Sequence, residues 1–418
     1  MKIKLFFVCF IVGFAQNSLA QDTLKLSLND AEKLFVANNY QLLLAKYEIE
    51  QAKADVITAK IFDNPEITHE NLFYNHETKR FLETSYATGQ FNTQVSQLFK
   101  LAGKRNKSIQ LANTAVKLEE FEYFDLIRTL RYQLRTNFYK LNALQQSAKL
   151  YDSQIIALKQ LLQASDKQLS LGNIANKDVV RIKSLLYSLQ VEYLQINTEI
   201  NELTTDLKLL TQIKASTVVE TVSADALPIL DPLPYAILLD SAKNNRIDLK
   251  SAKTAIIYAQ QNLKLQKANA IPDVQLSLVY DLKGSYPERY TGLGISMPIP
   301  LFNRNQGEIK KAKIAVESQQ TMHNQVENTL ANEVFKAYQH AERINNTAIN
   351  IDQNFNTDYQ KLMEEVTKNF LKRNISLLEF LDFYESYKET TLQHNQLQFE
   401  RINAKEEINF VTGTTLYK

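Results

Sequence analysis

Cysteine is all but missing from this sequence: the single Cys9 lies in an apolar run, residues 5–14, that follows Lys2 and Lys4. Phe6-Phe7-Val8 precede it where a lipidation site would place a small residue. With Ser18-Leu19-Ala20 as a small-residue cleavage site, residues 1–20 read as a secretory signal peptide and the mature chain as starting near Gln21. The mature chain then has no disulfide, no thiolate and no cysteine metal ligand.

Other absences narrow the chemistry further. The five histidines, His69, His76, His323, His340 and His394, are scattered and form no HExxH pattern. No GxxxxGK[ST] phosphate loop occurs, and Gly292-Leu293-Gly294 lacks the third glycine and downstream acid of a dinucleotide fingerprint. The acidic pairs Glu364-Glu365 and Glu406-Glu407 read as solvated helix faces. The expectation is no enzyme, no cofactor and no metal centre. After residue 20 there is no apolar run of ~18 residues, so no transmembrane helix is expected. The formal charge is +2, which Lys2 and Lys4 supply, so no global attraction to nucleic acid or anionic lipid is implied.

Glycine and proline are sparse, 9 and 8 in 418 residues, and they cluster. Pro65, Gly89 and Gly103 bracket one region, and Pro272 to Gly307 a second. Pro228, Pro232 and Pro234 mark a linker, while Gly172 stands alone in a long helical stretch. The two halves align: the segment up to Pro65 has the layout of the segment up to Pro272. Leu98-Phe99 then falls on Leu301-Phe302, and Gly172-Asn173-Ile174 on Arg373-Asn374-Ile375. This is a tandem duplication of about 200 residues, residues 21–222 and 223–418, each copy reading helix, strand, strand, long helix, turn, helix.

The helices are amphipathic throughout. From Val326 through Leu330, Val334, Ala337, Ala341, Ile344, Ala348, Ile351, Phe355, Tyr359, Leu362, Val366 and Phe370 an apolar stripe recurs in steps of three or four. Tyr123, Ile127, Leu130, Leu134, Phe138 and Leu141 keep the same rhythm in the first copy. One unbroken helix over 303–371 would span ~100 Å, too long for a globular core, and helices over 235–270 and 376–411 would match it end to end.

Between the helices the pattern alternates. Leu293, Ile295, Met297 and Ile299 oppose Gly292, Gly294 and Ser296; Val274, Leu276, Leu278 and Tyr280 oppose Gln275, Ser277 and Asp281; Phe91, Thr93, Val95 and Phe99 oppose Asn92, Gln94 and Ser96. The segment after Pro65, with Ile67, His69, Asn71 and Phe73, alternates least well. Strands are expected at 65–75, 87–99, 272–282 and 290–300, about 9 to 11 residues each, the length that crosses an outer membrane when tilted. A half-buried sheet in a periplasmic protein has the same pattern. Four strands cannot close on themselves in lipid. Two copies would give eight strands and a filled interior, three would give twelve and an open lumen, and three are favoured.

Residues 296–313, SMPIPLFNRNQGEIKKAK, are where a strand must run into a long helix. Pro298 and Pro300 end the ladder, Phe302 suits a membrane interface, and Asn303 with Gln306, just before Gly307, fits a capping pair for the new helix. This stretch, its counterpart QVSQLFKLAGKRNKSIQLA and the turn segment NFLKRNISLLEFLDFYES resemble the TolC-type outer membrane efflux family. The Pro-Leu-Phe-Asn-Arg-Asn-Gln-Gly run is most similar to its heavy-metal efflux branch, the CzcC- and CusC-like members. The resemblance covers residues 24–413.

It implies a homotrimer with a twelve-stranded barrel in the outer membrane and a helical coiled-coil tunnel across the periplasm. It also implies docking to a periplasmic adaptor and an inner-membrane RND-type pump, and passive conduction of the pump's substrate, with heavy-metal cations among the candidates. Acidic residues at the family's periplasmic gate match Glu379, Asp382 and Asp178. The exposed hairpin tips, Gly172, Asn173, Ile174, Arg373 and Asn374, are candidates for adaptor docking. The second turn departs from the family at Arg373, where the first keeps Gly172, and Ile375 stands where some members have a gate arginine. A channel for type I protein secretion and a soluble periplasmic coiled-coil adaptor or scaffold stay open as alternatives.

Overall fold

The computed structural model describes residues 23–222, 233–284, 287–350 and 355–417. The expected signal peptide with Cys9, the linker prolines Pro228 and Pro232, and Ile351 of the stripe lie outside the described residues. In chain order the elements are strand β1 (Thr23–Ser27), helices α1 (Leu28–Asn38) and α2 (Tyr40–Lys60), strands β2 (Glu66–Asn71), β3 (Tyr74–Asn75), β4 (Arg80–Phe81) and β5 (Phe91–Phe99), and helices α3 (Lys104–Ser170) and α4 (Asn176–Thr211). There follow β6 (Val218–Val222), α5 (Tyr235–Asn245), α6 (Ile247–Asn269), β7 (Val274–Asp281), β8 (Tyr290–Ser296), α7 (Gln306–Ile349), α8 (Phe355–Leu371) and α9 (Leu377–Thr412).

Long helices dominate, as the sparse glycine and proline require, but three expectations are corrected. The helix expected over 303–371 is α7 and α8, two elements rather than one, whereas its counterpart α3 runs 67 residues without a break. In α8 the stripe keeps Val366 buried and Tyr359 and Phe370 half-buried, but Met363 is buried where Leu362 was expected and Leu362 is exposed. The leading helix of each copy is also interrupted, at the equivalent residues Asn39 and Arg246.

Both interrupting residues are buried polar groups. Asn39 Oδ1 accepts from the backbone N–H groups of Gln41 (3.0 Å) and Leu42 (3.1 Å), capping α2. Arg246 reaches the Asp248 carboxylate and Glu333 (2.6 Å), and donates to the Val411 carbonyl. No cap motif marks Arg246 in the sequence; of its anchors, Glu333 and Val411 come from other helices.

The described residues divide into two compact units, each drawing on both sequence repeats. One takes 23–37, 137–222 and 360–396. In it β1 and β6 pair in parallel, an arrangement that the strand pattern of the sequence does not announce, with Leu26 and Val219 buried. Gln145 of α3 reads the β6 backbone, donating to the Val219 carbonyl (2.9 Å) and accepting from Thr221 N–H (3.0 Å). Its helical core gathers Tyr151, Leu158, Leu189, Met363, Phe380 and Tyr384.

The other unit takes 38–136, 233–359 and 397–417. Leu330, Val334, Ala337 and Ala341 of the predicted stripe pack with Leu238, Ala404 and Ile408, and each fully buried leucine or isoleucine contributes roughly 2 kcal/mol. Of the acidic pair expected on a solvated face, Glu406 is instead buried against Arg135 (2.9 Å), and Glu407 bonds His340 Nδ1 (2.9 Å). The helix periodicity alone does not reveal that α9 is covered at this level.

This unit also holds the four-stranded antiparallel sheet, in the order β2-β5-β7-β8. Its strands have 6, 9, 8 and 7 residues; β5 reaches the expected length, and β2, β7 and β8 fall short of it. β2 stops at Asn71 because the chain turns into the β3/β4 hairpin, closed on the buried Glu83 carboxylate by the hydroxyls of Thr78, Ser85 and Thr88 and the Asn75 amide. Gly89 is obligatory there: a Cβ would lie 2.5 Å from the Glu83 carbonyl. β8 ends at Ser296, before Pro298 and Pro300.

Candidate functional site

The strand register sorts the sheet into two chemically opposite faces. Ile67 pairs with Val95, Val95 with Leu278, and Leu278 with Leu293, giving an apolar row across all four strands. These side chains are 71%, 42%, 55% and 76% exposed. On the opposite face the rows are Glu66, Ser96, Ser277, Gly294 and Thr68, Gln94, Val279, Gly292. An exposed apolar row backed by a polar, small-residue face is inverted relative to a water-soluble sheet, which buries the apolar side. It suits a lipid-facing surface over a wet interior.

At one end of the sheet the strands lead into helices. The Phe302 side chain is 91% exposed. Asn303 does not cap α7: its Oδ1 accepts from Asn305 N–H (3.0 Å), and Gln306 folds back on Arg304 N–H (2.7 Å) and the Phe302 carbonyl. Both side chains stabilise the turn ahead of the helix. The N-cap is Asn305, in the left-handed region at φ 58°, with no side-chain cap bond. Ala102 holds the same position in the first repeat at φ 56°. Gly307 is inside α7, and a Cβ there would meet nothing.

The tip turns repeat each other bond for bond. Gly172 N–H donates to Leu169 and Asn173 N–H to Gln168; Arg373 N–H donates to Phe370 and Asn374 N–H to Asn369. Asn173 and Asn374 each add a side-chain bond back into the preceding helix, at 2.9 Å and 3.1 Å. Gly172, Asn173, Arg373 and Asn374 are exposed; Ile174 and Ile375 are half-buried.

The acidic candidates sit just beyond these turns. Asp178 and Glu379 occupy the first turns of α4 and α9, and the exposed Asp382 follows one turn later. Glu379 also closes the start of its helix. Its Oε2 accepts from Ser376 N–H (2.8 Å) and hydroxyl (2.9 Å), while Ser376 Oγ accepts from Glu379 N–H (3.2 Å). This is a capping box, and the bonds from Ser376 hold the Glu379 carboxyl below the usual range. The Ser-Leu-Leu-Glu spacing was legible as such a signal. Ala175 at the equivalent position offers no side-chain cap, so Asp178 is left without the reciprocal bond.

One polar cluster escaped sequence reasoning altogether. Glu192 of α4 accepts from Lys388 of α9 (2.9 Å) and from the Tyr151 hydroxyl of α3 (2.9 Å). Burial pushes Glu192 up, but the Lys388 and Tyr151 bonds outweigh it and hold the carboxyl low. No spacing rule links three residues on three helices.

Long helices together with an open four-stranded sheet that exposes an apolar row define the class of outer-membrane channel subunits. The chain belongs to the outer membrane efflux protein family, whose model matches residues 33–211 and again 238–414. It is similar to the cobalt-zinc-cadmium resistance protein CzcC of Cupriavidus metallidurans, 23% identical over 295 residues, which is 69% of this chain and 66% of that protein. The chain thus matches just under two thirds of that relative's length. Among solved structures it is similar to the Campylobacter jejuni CmeC outer membrane channel (TM-score 0.73, 14% identity, 94% of this chain and 87% of that one). It is also similar to CusC (TM-score 0.69, 17% identity, 95% and 96%). No helix among the described residues is long and apolar enough to cross a membrane.

Proposed function

We propose that three copies of this chain form the outer-membrane channel of a tripartite efflux system, receiving substrate from an inner-membrane RND-type pump through a periplasmic adaptor. The observation that carries the reading is the exposed row Ile67, Val95, Leu278 and Leu293. Open strand edges beside such a row are tolerated in lipid only if neighbouring sheets close them, and three sheets of four strands make a barrel with a lumen. A soluble scaffold would have no use for that row.

In this reading each sequence repeat supplies two strands of the sheet, and the helices extend into the periplasm. The energy comes from the pump, so the channel conducts passively once its tip helices part. Asp178 and Asp382 contribute free carboxylates to a cation-favouring constriction. Glu379 adds its charge while capping α9. Gly172, Asn173, Ile174, Arg373 and Asn374 present the adaptor-docking tips. Heavy-metal cations are the proposed cargo, in line with the name of the CzcC relative.

The test is conductance of the purified protein in planar bilayers, with and without neutralisation of Glu379 and Asp382. Absence of conductance under both conditions overturns the channel. Survival of a deletion strain across metals, bile salts and drugs tests the cargo, and sensitivity to the latter two but not to metals overturns the metal assignment.

A further inference from the structure

The chain as a whole is nearly neutral, yet cations concentrate at one end of the sheet. Because β2 and β7 start where β5 and β8 finish, residues 60–65, 100–107, 264–273 and 297–313 all gather at that end. Residues 100–107 hold four cations and no carboxylate; residues 304–313 hold four cations and one carboxylate.

Three of these cations have carboxylate partners: Lys100 with Asp63 (3.0 Å), the buried Lys104 with Asp273 (2.7 Å) and Lys311 with Glu308 (3.8 Å). Eight others, Lys60, Arg105, Lys107, Lys264, Lys267, Arg304, Lys310 and Lys313, have no carboxylate partner within ion-pair distance among the described residues. Several are held in place by backbone carbonyls instead. Arg105 donates to the Lys60 carbonyl and lies over the exposed Phe62 ring at 4.3 Å; Arg304 donates to the Pro300 carbonyl (3.2 Å), and Lys107 to the Ala102 carbonyl. A carbonyl fixes a guanidinium or ammonium without cancelling its charge. The positions are also repeated: Lys107 and Lys310 follow the left-handed Ala102 and Asn305 at the same spacing.

We infer that this end of the sheet is a binding surface for the phosphate headgroups of anionic phospholipid in the leaflet bordering the helices. The reading rests on the proposal that the apolar sheet face meets lipid. The exposed Phe99 ends the apolar face of β5, and the exposed Phe62 and Phe302 lie in the connecting segments at the same end, so one lipid molecule meets apolar side chains with its acyl chains and positive charge with its phosphate. Fixed cations at this depth attract anionic headgroups and hold the sheet at a defined height in the bilayer.

The test is electron spin resonance of the full chain reconstituted in phosphatidylcholine vesicles. It compares the motionally restricted fraction of spin-labelled phosphatidylglycerol with that of spin-labelled phosphatidylcholine of the same acyl chains. Phosphatidylglycerol is expected to be favoured about threefold at about 0.1 M salt and to lose that preference at about 1 M. The variant Arg105→Gln/Arg304→Gln/Lys310→Gln/Lys313→Gln is expected to lose most of it. The milder Lys310→Gln/Lys313→Gln is expected to lose part and serves if the fourfold variant does not fold. Equal association of both lipids with the wild type, or an undiminished preference in the variants, overturns the inference. So does abolition of the preference by inorganic phosphate at matched ionic strength, which would mean that a free anion is the ligand. A wild type that conducts without preferring phosphatidylglycerol removes this inference alone, whereas a preference without conductance removes the channel alone.

Discussion

Gly172 and Arg373 occupy the same left-handed turn position in the two repeats, at φ 74° and 62°. Only the first is a residue for which that conformation is free of steric cost. The turns share their backbone bonds, so the comparison isolates the side chain. Arg373→Gly is expected to stabilise the second turn by about 1 kcal/mol, and Gly172→Arg to destabilise the first by a similar amount. Amide hydrogen exchange at the ends of α3 and α8 reads both.

The Glu192 cluster predicts an acid-sensitive component of stability. The folded carboxyl titrates below its ordinary value, so the contribution is fully present above the unfolded value, about 4.3, and is lost as pH falls through the lower folded value. Glu192→Gln is expected to be less stable at neutral pH by about 2 kcal/mol, a figure reduced for the partial exposure of Glu192 while Lys388 stays buried. Acid unfolding monitored by circular dichroism should show a shallower loss for the variant across that window.

The two faces of the sheet make opposite predictions. Leu278→Arg places a charge in the middle of the apolar row and is expected to cost about 2 to 4 kcal/mol of membrane folding, read as loss of assembled protein from the outer-membrane fraction. Gln94→Arg, on the polar face, is expected to assemble normally and to lower cation conductance.

The capping box allows structure and charge to be separated at Glu379. Ser376→Ala is expected to cost about 1 kcal/mol at the start of α9 and to leave ion selectivity unchanged. Glu379→Gln keeps the reciprocal bonds, since glutamine fills the same role in capping boxes, and removes the charge. A fall in cation preference with Glu379→Gln but not Ser376→Ala, measured as reversal potentials, identifies the carboxylate as part of the constriction.

Fold class was readable because it rests on periodicity, which is local. The stripe Leu330, Val334, Ala337 and Ala341 is buried as its spacing requires, and the alternation from Val274 to Tyr280 marks β7. The breaks at Asn39 and Arg246 were not anticipated, although Asn39 is an ordinary capping residue, because the apolar rhythm runs on through both. Asn303 looked like a cap by residue type and spacing, yet the left-handed Asn305 moves the helix start two residues on. The role of Glu406 was missed because burial by another helix leaves no mark in the spacing of α9's own residues.

The sequence by itself determined the duplicated order of helices and strands, the inability of the helices to cross a bilayer and the two-faced character of β5, β7 and β8. These follow from the spacing of apolar, glycine and proline residues along a chain whose backbone geometry is fixed. Tertiary structure alone decided which strands lie side by side, and so that Ile67, Val95, Leu278 and Leu293 form one row. It also decided that Tyr151, Glu192 and Lys388 meet and that cations without carboxylate partners collect at one end of the sheet. Those relationships join residues far apart in the chain, and only the packing of whole elements sets the distances at which charge and apolar surface act.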